Sequence, residues 1–292
     1  MNLPNLHIAV LLTNDDTSPF AAHFPNDGQK VVQLLQPLRP DWTFEVVPVK
    51  DGVLPASPAD FDGYVITGSP ASVNDDRLPW VGRLLAFIRE VHATRQPLIG
   101  LCFGHQAVAR ALGGQVARNA AGWGLGTAPT HWQAARPWMQ PAQSTTTLMA
   151  AHNEQVTRMP EGAECLGGSD FCPIGSMQIG QHIWTTQFHP EMPLVFMQAL
   201  LGYLADKLDA ATLARAHADV GTRFEVSELP GLGERRELRH RRAIIEQPLH
   251  RRRQPIGGQF RLREVDGGTC RLEHLGVHRL MIRRGGGERQ PK

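Results

Sequence analysis

The sequence predicts an α/β fold, a mostly parallel sheet flanked by helices on both faces. Two observations carry that expectation. Short runs of consecutive apolar residues alternate with amphipathic stretches through the first half of the chain. Strands buried on both faces are apolar at successive positions, whereas half-exposed strands alternate. The 292 residues also suffice to bury a sizeable core, and no run of about 18 apolar residues suggests a membrane span.

The first run, 7–12, ends at Thr13-Asn-Asp-Asp16. No basic residue precedes it, so it reads as a buried strand rather than an export signal. Residues 29–38 place Val31, Val32, Leu34, Leu35 and Leu38 as a helix would, and 44–49 and 63–67 read as strands. Residues 79–92 carry Trp80, Val81, Leu84, Leu85, Ile88 and Val91 at helical spacing, with Pro79 suited to a first helical position. A strand over 97–101 then feeds a helix that Gly113-Gly114 stops. From 115 to 190 the strands shorten between Gly- and Pro-rich loops, ending in a strand over 182–188. A last helix over 193–208 would present Val195, Phe196, Ala199, Leu200, Tyr203 and Leu204 on one face.

Charge divides the chain near residue 218. Residues 1–218 hold 13 Lys and Arg against 18 Asp and Glu, and 219–292 hold 17 against 10. The sequence therefore predicts a globular domain over 1–218 and a basic, low-order tail over 219–292. An arginine-rich arm for nucleic acid or an acidic partner is the sharper reading of the tail. Its basic residues lack the interleaved aromatics of a stacking surface, so no nucleic-acid partner is expected. A fused or frame-shifted scrap is a third reading. The four cysteines, Cys102, Cys165, Cys172 and Cys270, form no Cys-x-x-Cys pair, and a reducing cytoplasm is the expected location.

The chemistry concentrates at Gly100-Leu-Cys102-Phe-Gly104-His-Gln106. A Gly-x-Cys-x-Gly turn between strand and helix is a nucleophile elbow, which lifts the thiol above the sheet edge at a helix N-terminus. There the free N–H groups favour thiolate. Alone, a cysteine is more often a small buried hydrophobe. Downstream, Gln187-Phe-His189-Pro-Glu191 supplies an imidazole and a carboxylate two residues apart. In extended backbone these share one side, so Glu191 can orient His189. A lone His189 could equally be structural. Thr67-Gly68-Ser69-Pro70 is an ordinary turn by itself. Beside an elbow, its backbone N–H and that of Phe103 make a pair of oxyanion donors. Cysteine-dependent acyl transfer at the carboxyl edge of the sheet is the expectation.

Gly-x-Cys-x-Gly-x-Gln, Thr-Gly-Ser-Pro and Gln-Phe-His-Pro-Glu, in this order and spacing, resemble the class I (triad) glutamine amidotransferases. The likeness covers roughly residues 5–208 and is nearest to stand-alone domains similar to the glutaminase part of GMP synthase. Ala109-Arg-Ala-Leu-Gly-Gly114, Gly122-Trp-Gly-Leu-Gly126 and Ala151-His152-Asn-Glu-Gln-Val156 with Met159-Pro-Glu-Gly-Ala163 extend it. The resemblance implies a flavodoxin-like sheet, Cys102 as nucleophile, His189 as general base then acid, and Glu191 as its orienting partner. Gln106 and the backbone near Gly68 would hold the substrate. Ser69 stands where many members have a second glycine. A positive φ there would make the serine costly or alter the oxyanion hole. His152-Asn153-Glu154 departs from the commoner His-Gly-Asp.

The implied activity is hydrolysis of the glutamine side-chain amide through a glutamyl thioester, with ammonia passed to an acceptor. Two alternatives stay open: a γ-glutamyl amide or peptide hydrolase with the same triad, and a non-catalytic regulatory domain. Phe103 after the cysteine resembles the glutaminase branch more than the hydrolases, which often carry Arg or Leu. No metal or other cofactor is called for. The sequence shows neither a phosphate-binding Gly-x-x-x-x-Gly-Lys-Ser/Thr loop nor a Ser-Gly-Gly-Val-Asp-Ser-like loop, so a synthetase partner would be a separate subunit. The expected ligand is a small molecule, glutamine or a γ-glutamyl compound.

Overall fold

The computed structural model describes residues 5–134, 136–139, 142–221, 260–265, 269–274 and 280–282. The chain divides into two compact units, Met1–Arg252 and Arg253–Lys292.

In the first unit, β1 (His7–Leu11), α1 (Asp27–Leu35), β2 (Thr43–Val47), β3 (Gly63–Ile66), α2 (Pro79–Ala93), β4 (Leu98–Leu101) and α3 (Phe103–Ala111) follow in the predicted order. Local chemistry sets their ends. Asn26 and Gln29 form a reciprocal capping box at the start of α1, and Pro79 opens α2. Gly113, at φ +94°, takes the left-handed conformation that lets the chain leave α3, and Gly114 N–H closes the turn on the Ala109 carbonyl.

Next come β5 (Gln115–Arg118), β6 (Gly124–Trp132), β7 (Thr145–His152), β8 (Glu154–Arg158), β9 (Ala163–Gly168), β10 (Ser176–Ile179), β11 (Ile183–Thr186), α4 (Leu194–Leu204) and α5 (Ala210–Gly221). Nine strands form one sheet in the order β2-β1-β3-β4-β11-β10-β9-β6-β7. The first five are parallel, and β10, β9, β6 and β7 extend the sheet antiparallel. β5 and β8 pair separately.

Alternation along the parallel strands explains both covered faces. Ala9, Leu11, Tyr64, Ile66 and Leu98 join the core under α2 and α3. Their neighbours Ile8, Val10, Val65, Ile99 and Leu101 join the core that holds Val31, Leu34 and Leu35 of α1. Each strand residue therefore leaves water on one side or the other, at about 25 cal/mol for each Å² of apolar surface.

The last predicted helix differs in its face. Met197 and Leu201 are its buried residues, whereas Val195 is 64% exposed and Tyr203 37%. The segment Leu-Val-Phe-Met-Gln-Ala-Leu-Leu-Gly-Tyr-Leu is apolar on nearly every side, so its period could not select the buried stripe. Phe196 and Tyr203 of that helix instead carry the rings of Phe20 and Phe24. Helix α5 had no counterpart in the sequence reading. It packs Ala216 and Val220 with Met197 and Leu201, and Ala216 lies over Gly126.

In the second unit, Phe260–Val265 (β12), Thr269–His274 (β13) and Leu280–Ile282 (β14) form an antiparallel sheet in the order β12-β13-β14. The expected low order of 219–292 otherwise falls outside the described residues, apart from the end of α5.

Candidate active site

Strand adjacency brings the three motifs to one edge. β4 lies between β3 and β11, parallel to both, with Ile66 opposite Gly100 and Leu101 opposite Thr186. The chain leaves these three neighbouring carboxyl ends as Thr67-Gly68-Ser69, as Cys102 and as Gln187-Phe188-His189.

Cys102 has φ +48° and ψ −98°, a conformation rare for any side chain bearing a Cβ. Holding it there costs on the order of 1–3 kcal/mol. The two glycines around it permit the turn by close approach. A Cβ on Gly100 would sit 2.6 Å from the Gly104 carbonyl oxygen, and one on Gly104 would sit 2.6 Å from the Ile66 carbonyl oxygen. Cys102 N–H donates to the Thr186 carbonyl at 2.9 Å, tying the elbow to β11. Its sulfur is buried at the N-terminus of α3.

His189 is held from two sides. Its backbone N–H donates to the Met149 carbonyl at 2.8 Å, and its Nδ1 lies 2.7 Å from Glu191 Oε1. Both side chains are buried, and among the described residues His189 Nε2 and Glu191 Oε2 have no hydrogen-bond partner. Burial pushes the His189 pKa down, but the Glu191 carboxylate and the Cys102 sulfur outweigh it and raise the pKa well above the usual histidine value. Nε2 has no partner in hydrogen-bond geometry among the described residues, a looseness common in sites without substrate. Gly68 lies beside both His189 and Cys102. A methyl placed on it would lie 2.7 Å from His189 Cε1 and 3.7 Å from Cys102 Cβ.

The loop carrying Gly68 is pinned to the end of β1. Thr13 Oγ1 lies 3.0 Å from the carbonyl oxygens of Thr67 and Gly68, and Thr13 N–H donates to Thr67 Oγ1 at 3.0 Å. Arg95 and Cys102 are the non-glycine residues with positive φ among those described, so Ser69 takes its place without left-handed strain. Its hydroxyl accepts from Ala71 N–H at 3.1 Å. Among the described residues the N–H groups of Ser69 and Phe103 have no protein acceptor.

Gln106 is buried, and its Nε2 donates to the Glu154 carbonyl at 2.7 Å and to Gln187 Oε1 at 3.2 Å. It reaches the sulfur only through Gln187, whose Nε2 lies 3.5 Å from Cys102 Sγ. The sequence pattern assigns Gln187 and Thr13 no role; only the position of Gln187, two residues from His189 just past a strand end, points to one. The Glu154 carboxylate accepts from Ser72 at 2.8 Å, which joins the departing His-Asn-Glu loop to the Gly-Ser-Pro turn. His152 is buried with neither ring nitrogen bonded among the described residues, and burial pushes its pKa down to about 3. His105 is also pushed to about 3 by burial, and it bridges Thr185 at 2.7 Å and the Ile174 carbonyl at 3.1 Å.

The sequence model of the family described as Glutamine amidotransferase class-I matches residues 31–196. The chain belongs to this family. Its relatives include gamma-glutamyl peptidase 3 of Arabidopsis thaliana, 28% identical over 45% of this chain and 55% of that protein. The GMP synthase [glutamine-hydrolyzing] of Porphyromonas gingivalis is 32% identical over 48% of this chain and 26% of that protein. This class I amidotransferase chain thus matches 55% of the peptidase and 26% of the synthase. The crystal structure of a glutamine amidotransferase from Thermotoga maritima shares its fold, with a TM-score of 0.66 at 16% identity over 84% of this chain and 98% of that one. One from Methylobacillus flagellatus gives 0.62 at 22% identity, over 88% and 99%. No helix among the described residues is long and apolar enough to cross a membrane.

Proposed function

We propose that this chain hydrolyses the side-chain amide of glutamine, with Cys102 as nucleophile, His189 as acid and base, and Glu191 as its orienting partner. The observation that carries the reading is the 2.7 Å contact of Glu191 with His189 Nδ1, which leaves Nε2 as the ring nitrogen available for proton transfer, with Cys102 near enough to raise the His189 pKa.

The Cys102 thiolate attacks the amide carbon, and the carbonyl oxygen becomes an oxyanion received by the N–H groups of Ser69 and Phe103. Each such donor stabilises the transition state by about 3 kcal/mol. The C–N bond then breaks as the Nε2 proton passes to the leaving nitrogen, releasing ammonia and a γ-glutamyl thioester. Water attacks that carbon while giving its proton to Nε2. The C–S bond breaks, and glutamate leaves with the thiolate restored.

The ammonia acceptor belongs to a separate synthetase subunit in this reading, which the similarity to GMP synthases supports. A γ-glutamyl amide or peptide hydrolase is the second reading, supported by the similarity to gamma-glutamyl peptidases. The same steps serve, with an amine as the leaving group. Cys102→Ala tests the shared chemistry, because loss of product from every γ-glutamyl substrate is expected and retained turnover refutes it. Comparing glutamine with a panel of γ-glutamyl amides, with and without candidate synthetases, separates the two readings.

A further inference from the structure

Among the described residues the sulfur of Cys102 has two hydrogen-bonding neighbours besides His189. The Ala151 carbonyl oxygen lies 4.0 Å away and can only accept, while Gln187 Nε2 lies 3.5 Å away and can only donate. Which end of the Gln187 amide faces the sulfur is settled two residues back in the network. The Glu154 backbone carbonyl accepts, so Gln106 must present its NH2 there, at 2.7 Å. The second hydrogen of that NH2 reaches Gln187 Oε1 at 3.2 Å, which turns the Gln187 NH2 toward Cys102. Gln187 is 0% exposed, which keeps its amide out of bulk solvent.

We propose that Gln187 is a catalytic residue whose amide N–H donates to the Cys102 sulfur and stabilises the thiolate, and that Gln106 is the positioning residue that aims it. The inference rests on Cys102 acting as nucleophile, as in the function proposed above. A donor that strengthens toward an anion stabilises the thiolate over the thiol, because hydrogen bonds to charged groups are about twice as strong as neutral ones. It acts at attack and again when the sulfur leaves the thioester. His189 alone, cationic before attack, must give up its proton to the leaving group. Gln187 keeps its donor throughout the cycle.

The test reads the pH dependence of Cys102 alkylation by iodoacetamide in the full chain, followed by mass spectrometry of the peptide that contains it. The titratable groups around the sulfur are His189, Glu191 behind it, His152, and Cys172, whose thiol is pushed up to about 12 by burial; all stay in place. Gln187→Met keeps the volume and removes the donor, and the alkylation midpoint should rise by about one pH unit. Gln187→Glu puts an acceptor there and should raise it further, by about two units. Gln106→Met frees the Gln187 amide to rotate and should raise it by about half a unit, deciding the matter if a Gln187 variant loses its cooperative melt. A midpoint unchanged in the folded variants overturns the proposal, because a packing role would not move it. Turnover of glutamine and γ-glutamyl amides by the unaltered protein is measured alongside. Its absence sinks the proposed function but leaves a shifted midpoint standing as evidence for Gln187.

Discussion

Replacing Gly68 with alanine tests whether the space between Cys102 and His189 is part of the machinery. The new methyl would lie 2.7 Å from His189 Cε1. Carbon atoms rest at about 3.5–4.0 Å, so the ring must retreat by about 1 Å. It has little freedom to do so, because Nδ1 is held by Glu191 at 2.7 Å and the backbone by Met149 at 2.8 Å. Gly68 is not among the glycines with positive φ, so alanine strains no backbone and the effect is confined to the ring. A displacement of about 1 Å at a proton-transfer group lowers turnover by about 100-fold, or about 3 kcal/mol of transition-state stabilisation. The assay is kcat and KM for glutamine or the best γ-glutamyl amide, with thermal melting to show that the fold survives. A variant that melts like the parent and turns over at the parental rate would refute the geometric argument.

Other perturbations reach the remaining links. Glu191→Gln keeps the shape but removes the charge that raises His189, so kcat should fall about 10⁴-fold. The alkaline limb of its pH–rate profile should also move to lower pH; an unmoved limb assigns that limb to another group. Gly104→Ala drives a methyl to 2.6 Å from the Ile66 carbonyl oxygen, and should lower the unfolding free energy by about 2 kcal/mol in a urea titration. The buried histidines set the acid response. His105 and His152, near 3 in the folded chain against about 6.5 unfolded, take up protons only on unfolding, so stability falls as pH drops from about 6.5 toward 3. His189 has the opposite sign: its contribution is complete below about 6.5 and is lost as pH climbs through its raised pKa. Melting temperatures from pH 4 to 9 check both slopes, and His105→Gln should flatten the acid one.

Element types were legible because β-α alternation leaves apolar patterns that local chemistry terminates, as at Pro79 and Gly113. α4 shows where the pattern fails: a helix apolar on nearly all sides does not say which side is buried. α5 shows another failure. Its small Ala211, Ala214 and Ala216 form no conspicuous apolar stripe, yet alanine suits a helix packed closely over Gly126.

The candidate site was legible in its parts, not in its wiring. The sequence predicted that Cys102, His189 and Glu191 share an edge, and that follows once β11 inserts beside β4. Nothing in periodicity says that residue 183 pairs with residue 98, because register is a tertiary choice. The same insertion places Gln187 against the sulfur, one residue past the strand end. A glutamine at such a position reads locally as a polar strand terminator, and its partners Gln106 and Glu154 lie on separate elements. A candidate nucleophile can therefore be picked out by the turn that strains it, since that turn demands glycines within a few residues. The groups that touch it come from segments brought together only by folding, and in this chain a side-chain amide, that of Gln187, is among them.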